Sequence, residues 1–116
     1  MGQPRLMYKE VTIASGASLT DAIDLGEDQY ICGVVMPAAW TAANLTLQAS
    51  HNGSDFADLY DQDGSEVEIT VDIDMFVVLS PDSVWGFRHV KVRSGTTGTP
   101  VNQAAERTLV LVIRGL

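Results

Sequence analysis

Three features of the sequence predict an all-β fold, an antiparallel two-sheet sandwich of jelly-roll-like type with about seven to nine short strands. Apolar residues recur with a period of two and not 3.6, turn-forming residues fall at close intervals, and the apolar runs between them are short. The chain has 116 residues and is 46% hydrophobic, enough for one compact core. With no internal repeat, low-complexity tract or linker, residues 1–116 read as a single domain.

Tyr8 to Ala14 is the first expected strand, and a short one follows around Ala22 to Leu25. Tyr30 to Met36 is an apolar run in which Cys32, the one cysteine, reads as a small buried thiol. From Asn44 to Ser50, Leu45, Leu47 and Ala49 alternate with polar neighbours, and Phe56 to Tyr60 supplies the next strand. The clearest alternation runs from Glu66 to Asp74: Val67, Ile69, Val71 and Ile73 take one face and acids and Thr70 the other, as in a half-buried strand. Met75 to Ser80 follows, then Phe87 to Arg93, where Val90 and Val92 oppose His89, Lys91 and Arg93. Thr108 to Arg114 closes the fold. Turn residues separate these runs at Ser15-Gly16, Leu25-Gly26, His51-Asn52-Gly53, Asp63-Gly64, Ser80-Pro81 and Ser94-Gly95. Any helix is expected to be a single turn within Pro37 to Ala43.

Two connections stand out. Ser94 to Ala105 is long and almost free of large apolar groups, which marks it as a candidate contact loop. Met36 to Ala43 sets Trp40 among small residues, where the indole either plugs one end of the sandwich or projects as an anchor.

Lys plus Arg number 7 against 15 Asp plus Glu, a formal charge of −8, the wrong sign for holding a phosphate backbone, so nucleic acid is not an expected partner. The opening residues lack the apolar stretch of a secretory signal and no run reaches the length of a membrane span, so the expectation is synthesis in the cytosol and no membrane partner.

No constellation for catalysis emerges. Asp61, Asp63 and Gly64 resemble part of a calcium loop, but Leu59 stands where its first Asp belongs and Thr70 where its closing Glu belongs; a turn at Asp61 to Gly64 explains the same residues. His51 lies in a turn and His89 mid-strand, with no nucleophile elbow, and two histidines with one cysteine give no zinc spacing. The chain is therefore read as a non-enzyme without cofactor or metal.

Charge and apolar placement point instead to contacts between proteins. His89, Lys91 and Arg93 form one basic stripe, opposite in sign to the strand bearing Glu66, Glu68, Asp72 and Asp74. Such faces pair either across strands of one sheet or between a copy and its neighbour. On the last strand, Val110 and Val112 fall on the face that normally meets water, which suggests contact with another subunit or a host surface.

The segments Gly33 to Ala43, Leu45 to Tyr60, Val92 to Thr96, Pro100 to Gln103 and Arg107 to Leu109 together resemble small proteins encoded in the structural-gene regions of tailed bacteriophages and prophages. This resemblance implies a virion accessory protein, made in the bacterial cytoplasm and located on the particle. A capsid decoration or head-surface role is the leading form, with a neck or tail position as the variant, and the implied partners are capsid or other virion proteins and the chain itself. Gln48 to Phe56 also resembles the strand-turn-strand of discoidin-like carbohydrate-binding sandwiches. That likeness implies a surface glycan as the alternative partner, with Trp40 or Trp85 as the stacking platform.

Overall fold

The computed structural model describes residues 6–80 and 86–115. Its strands are β1 (Leu6–Ile13), β2 (Ile23–Asp24), β3 (Gln29–Val35), β4 (Leu45–Ser50), β5 (Phe56–Asp58), β6 (Glu68–Ile69), β7 (Phe76–Val78), β8 (His89–Ser94) and β9 (Arg107–Gly115). One sheet has the order β1-β9-β3-β7; the other has the order β2-β8-β4-β5, with β6 also pairing β4. All pairings are antiparallel, and the chain passes back and forth between the sheets, as expected of a jelly-roll-like sandwich.

The core lies between the two inner faces. Val11, Ile13, Ile31, Val34, Leu109, Leu111 and Ile113 come from the first sheet and meet Ile23, Leu45, Leu47, Ile69, Val90 and Val92 of the second. On β1, β4, β8 and β9 these residues follow the two-residue period of the strand, whereas on β3 the bulge between Ile31 and Gly33 sets Ile31 and Val34 three apart.

One expectation fails here for an identifiable reason. The long alternating run from Glu66 to Asp74 gives only a two-residue strand. Its backbone is held by scattered partners: the Val67 N–H donates to the Leu59 carbonyl and the Val71 N–H to Asn44 Oδ1, while Asp74 turns into the left-handed region with φ 56°. Val71 remains buried and Ile73 is exposed, so the pattern reports partial burial and not a ladder. Pro37 to Ala43 forms no helical turn; there is no helix among the described residues, and so none long and apolar enough to cross a membrane. Cys32 is half-buried, beside the bulge between Ile31 and Gly33. The expected turn at Ser80-Pro81 falls partly outside the described residues.

The Ser94 to Ala105 connection is pinned and not free. Gln103 is 1% exposed, and its side chain closes a ring of hydrogen bonds with the backbone of Thr41. Oε1 accepts from the Thr41 N–H at 2.8 Å, and Nε2 donates to the Thr41 carbonyl at 3.0 Å and to Ser94 Oγ at 3.1 Å. Its own N–H donates to the Ala17 carbonyl and its carbonyl accepts from Gly16, so one residue ties three loops together. At Gly95, φ is 92° and a Cβ would collide with the Thr99 carbonyl oxygen and the Val101 nitrogen, so the turn admits glycine alone.

Replacing Gln103 with Leu preserves volume but leaves the Thr41 amide groups without partners. A loss of about 1 to 3 kcal/mol for each buried group so stranded is expected, read as a lower urea midpoint with an unchanged slope.

Candidate functional site

On the outer face of the second sheet, β8 projects His89, Lys91 and Arg93 beside Ser50, Gln48 and Thr46 of β4. Beyond β4 lie Phe56 and Asp58 of β5 and Glu68 of β6. Arg93 is only 6% exposed and is not a free docking cation. Its guanidinium bridges Asp58, Glu66 Oε2 at 3.3 Å, and Thr97 Oγ1 at 3.0 Å. The cause lies in its neighbours: Asp58 at the end of β5 and Glu66 in the connection after it on one side, and Thr97 from the loop after β8 on the other, enclose the head group. A hydrogen bond from Thr97 and the pairing with Arg93 hold the Asp58 carboxyl down at about 2. Lys91 is half-buried, with its ammonium 4.6 Å from the centre of the Phe56 ring, and His89 is half-buried with its ring against Gly53. Of the expected stripe, the structure pairs Arg93 within its own sheet.

The outer face of the first sheet has a different character. Register places Tyr8, Val112, Gly33 and Val78 in one cross-strand row and Glu10, Val110, Val35 and Phe76 in the next. Glu10 is the one charged member. Val110 is half-buried, but Val112 is 3% exposed, because the chain covers it itself. A Cβ on Gly33 would lie 3.2 Å from the Phe76 ring and 3.4 Å from Val112 Cβ, so the missing side chain lets the Phe76 ring lie down beside Val112. Val112 therefore cannot meet an outside partner as the sequence suggested. The exposed parts of this surface are Tyr8 at 62%, Phe76 at 61% and Val78 at 81%. Sequence reading missed these three. For Phe76 and Val78 the signal was available in Phe76-Val77-Val78, three apolar residues in a row where a solvated strand alternates.

Trp40 belongs to the core, and its Nε1–H donates to the Ala43 carbonyl at 3.0 Å, so it plugs the sandwich end and projects no stacking face. Trp85 lies outside the described residues. At the end of the sandwich opposite Trp40, an open cleft of about 620 Å³ is lined by Ser50, His51, Asn52, Phe87, Arg88 and His89. Arg88 at its rim is held by Asp24 through Nε at 2.7 Å and Nη2 at 3.0 Å, which keeps the Asp24 carboxyl well below the usual range. Asp61 Oδ1 accepts from the N–H groups of Asp63 and Ser65, and Gly64 N–H donates to the Asp61 carbonyl, which makes this segment the expected turn. Among the described residues no group of three or more His, Cys, Asp or Glu side chains is placed to hold a metal ion.

No protein-family model matches the chain, and no curated protein matches it. Among solved structures, it is similar to chitosan-binding module 1 derived from a chitosanase/glucanase of Paenibacillus sp. IK-5. The two are 19% identical over 89% of this chain and 74% of that one, with a TM-score of 0.43.

Two measurements check the reading of the second sheet. Arg93→Ala strands two carboxylates under the loops and is expected to cost about 3 to 5 kcal/mol in denaturant unfolding, whereas Lys91→Ala should change stability by about 1 kcal/mol or less. Asp58 titrates at about 2 when folded, against an ordinary 3.8. The unfolded chain thus takes up that proton first as pH falls: the Asp58 contribution is complete above the ordinary value and is lost as pH drops through the folded one. Asp58→Asn should flatten that part of the acid-unfolding profile.

Proposed function

We propose that this chain is a non-catalytic assembly module that attaches to a larger protein particle through the outer face of its first sheet. The observation that supports this reading is the continuous apolar surface formed by Tyr8, Val110, Val35, Phe76 and Val78 across four strands. The outer face of a solvated antiparallel sheet is ordinarily polar, and a contiguous apolar face is the usual mark of a protein contact. The finer form of the proposal is a virion accessory protein, of capsid decoration or head-surface type, as the phage resemblance implies. The acidic character of the chain suits a protein that stands on a particle surface without engaging the nucleic acid inside.

A second reading is carbohydrate binding, favoured by the open cleft at the sandwich end. There His51, Arg88 and the partly buried Phe87 line one open surface, a mixture of polar and aromatic groups of the kind a sugar ring uses. Trp40, being core, takes no part in it.

The two readings separate in one pair of assays. Co-sedimentation of purified chain with the source particle is expected to show saturable binding that Val110→Asp weakens about tenfold or more, since burying such a side chain contributes about 1.5 to 3 kcal/mol. His51→Ala, at an exposed position of the cleft, should leave that binding unchanged. Chitosan and a glycan array are the saccharide probes. Retention that His51→Ala abolishes, with no particle binding, would replace the assembly reading with the carbohydrate one.

A further inference from the structure

We propose that Asn52-Gly53 is a modification site of this chain, where asparagine converts without an enzyme to aspartate or isoaspartate, and that the Ser50 hydroxyl holds the rate down by keeping the turn closed. The inference goes beyond the assembly reading and does not depend on it.

The chain has three asparagines, and Asn52 alone precedes a glycine. The chemistry needs that neighbour. The backbone nitrogen of the following residue gives up its proton to solvent base and attacks the side-chain carbonyl carbon Cγ. The new C–N bond closes a cyclic imide, and Nδ2 leaves as ammonia with a proton taken from water. A second water then adds to either imide carbonyl and breaks its bond to nitrogen, which takes the proton, so the ring opens to aspartate or to isoaspartate. A side chain on the attacking residue crowds the approach, and glycine has none. The fold also demands glycine here: φ is 83°, and a Cβ would lie 3.2 Å from the His89 ring. The turn therefore carries the reactive pair by structural necessity.

In the folded molecule the groups that the reaction needs are already engaged. The Gly53 N–H donates to Ser50 Oγ at 2.9 Å, and the Asn52 N–H donates to the same oxygen at 3.2 Å. Ser50 Oγ in turn donates to Asn52 Oδ1 at 3.0 Å, which also accepts from the Ser54 and Asp55 N–H groups at 2.9 Å each. Nδ2 donates to Asp55 Oδ2 at 2.8 Å. A hydrogen-bonded N–H does not lose its proton to solvent base until that bond opens, the same step that governs amide hydrogen exchange. The side-chain amide, bonded at both its oxygen and its nitrogen, is held against rotation. Ser50 is 5% exposed at the end of β4, so its hydroxyl is a fixed post and not a mobile surface group. Asn52 is exposed, so water and base reach the turn as soon as it opens.

Conversion changes the turn's charge. A carboxylate at position 52 no longer donates to Asp55, and two negative groups stand where an amide and a carboxylate were bonded. The turn joins β4 to β5 and lines the open cleft together with His51 and His89. An opening followed by conversion thus leaves a lasting gain of negative charge at the cleft.

Mass spectrometry with fragmentation at residue 52, on purified chain aged at mildly alkaline pH, reads the conversion, and hydrogen exchange by NMR reads the Gly53 amide. The folded wild type should convert at least about tenfold more slowly than the same chain in denaturing urea. Ser50→Ala should speed conversion and Gly53 exchange by the same factor, because both need the same N–H released. Asp55→Ala, at an exposed position, removes the anchor of Nδ2 and should also speed conversion, so the test does not rest on one buried variant. Gln103 bonds Ser94, at the other end of β8 from His89. Gln103→Leu should therefore leave both rates at their wild-type values, which separates release of this turn from a general loss of stability. Conversion of the folded wild type as fast as in urea would overturn the proposal. So would a folded Ser50→Ala that converts at the wild-type rate, or an absence of conversion at residue 52 even in urea.

Discussion

The register of β9 is the constraint on which the rest of this molecule depends. It pairs β1 on one side and β3 on the other, and it is apolar on both faces, so hydrophobic burial alone does not decide which face turns inward. A slip of one residue would exchange Leu109, Leu111 and Ile113 for Val110 and Val112. The decision is made by fixed points around it. Arg107, at its start, donates to the buried Gln103 side chain at 3.2 Å, and the bulge between Ile31 and Gly33 sets its alignment with β3. Gly33 then opens the space in which Phe76 covers Val112. Once those are in place, the larger Leu and Ile side chains fill the core and the valines are left to the outer surface.

Polar groups complete the sandwich where its strands end. Gln103 anchors one set of loops and Arg93 the other, and both are buried, with Thr20, Thr46, Ser50 and Ser94 the other buried polar residues among those described. Each is satisfied by several partners, the condition under which a buried polar group is tolerated. For Arg93 the consequence is functional as well: a cation that a strand pattern assigns to the surface is withdrawn from it by two acids, Asp58 at the end of β5 and Glu66 in the connection to β6. The second sheet therefore presents Lys91 and His89 but no continuous basic stripe.

That division leaves the first sheet as the surface with unmet apolar area. Its middle is partly covered by the chain itself, through Phe76, and its exposed apolar side chains sit toward the edges. A surface of this shape favours partners that extend the sheet or lie across it over small molecules that need an enclosed pocket.

The sequence by itself determined the fold class, most strand positions, the inward residues of β4 and β8, and the turns at Gly16, Gly26, Gly53, Gly64 and Gly95, all with positive φ. These are local properties: a two-residue period and a glycine's freedom need no knowledge of what lies opposite. Only the tertiary structure decided that Glu66 to Asp74 is mostly not a ladder, that the long connection is tied down by Gln103, that Trp40 is core, and that Arg93 and Val112 are covered. Each of these depends on residues distant in the chain, Arg93 on Asp58 and Glu66, Val112 on Gly33 and Phe76, Gln103 on Thr41. Alternation tells which way a side chain points, but burial depends on what the fold then brings over it.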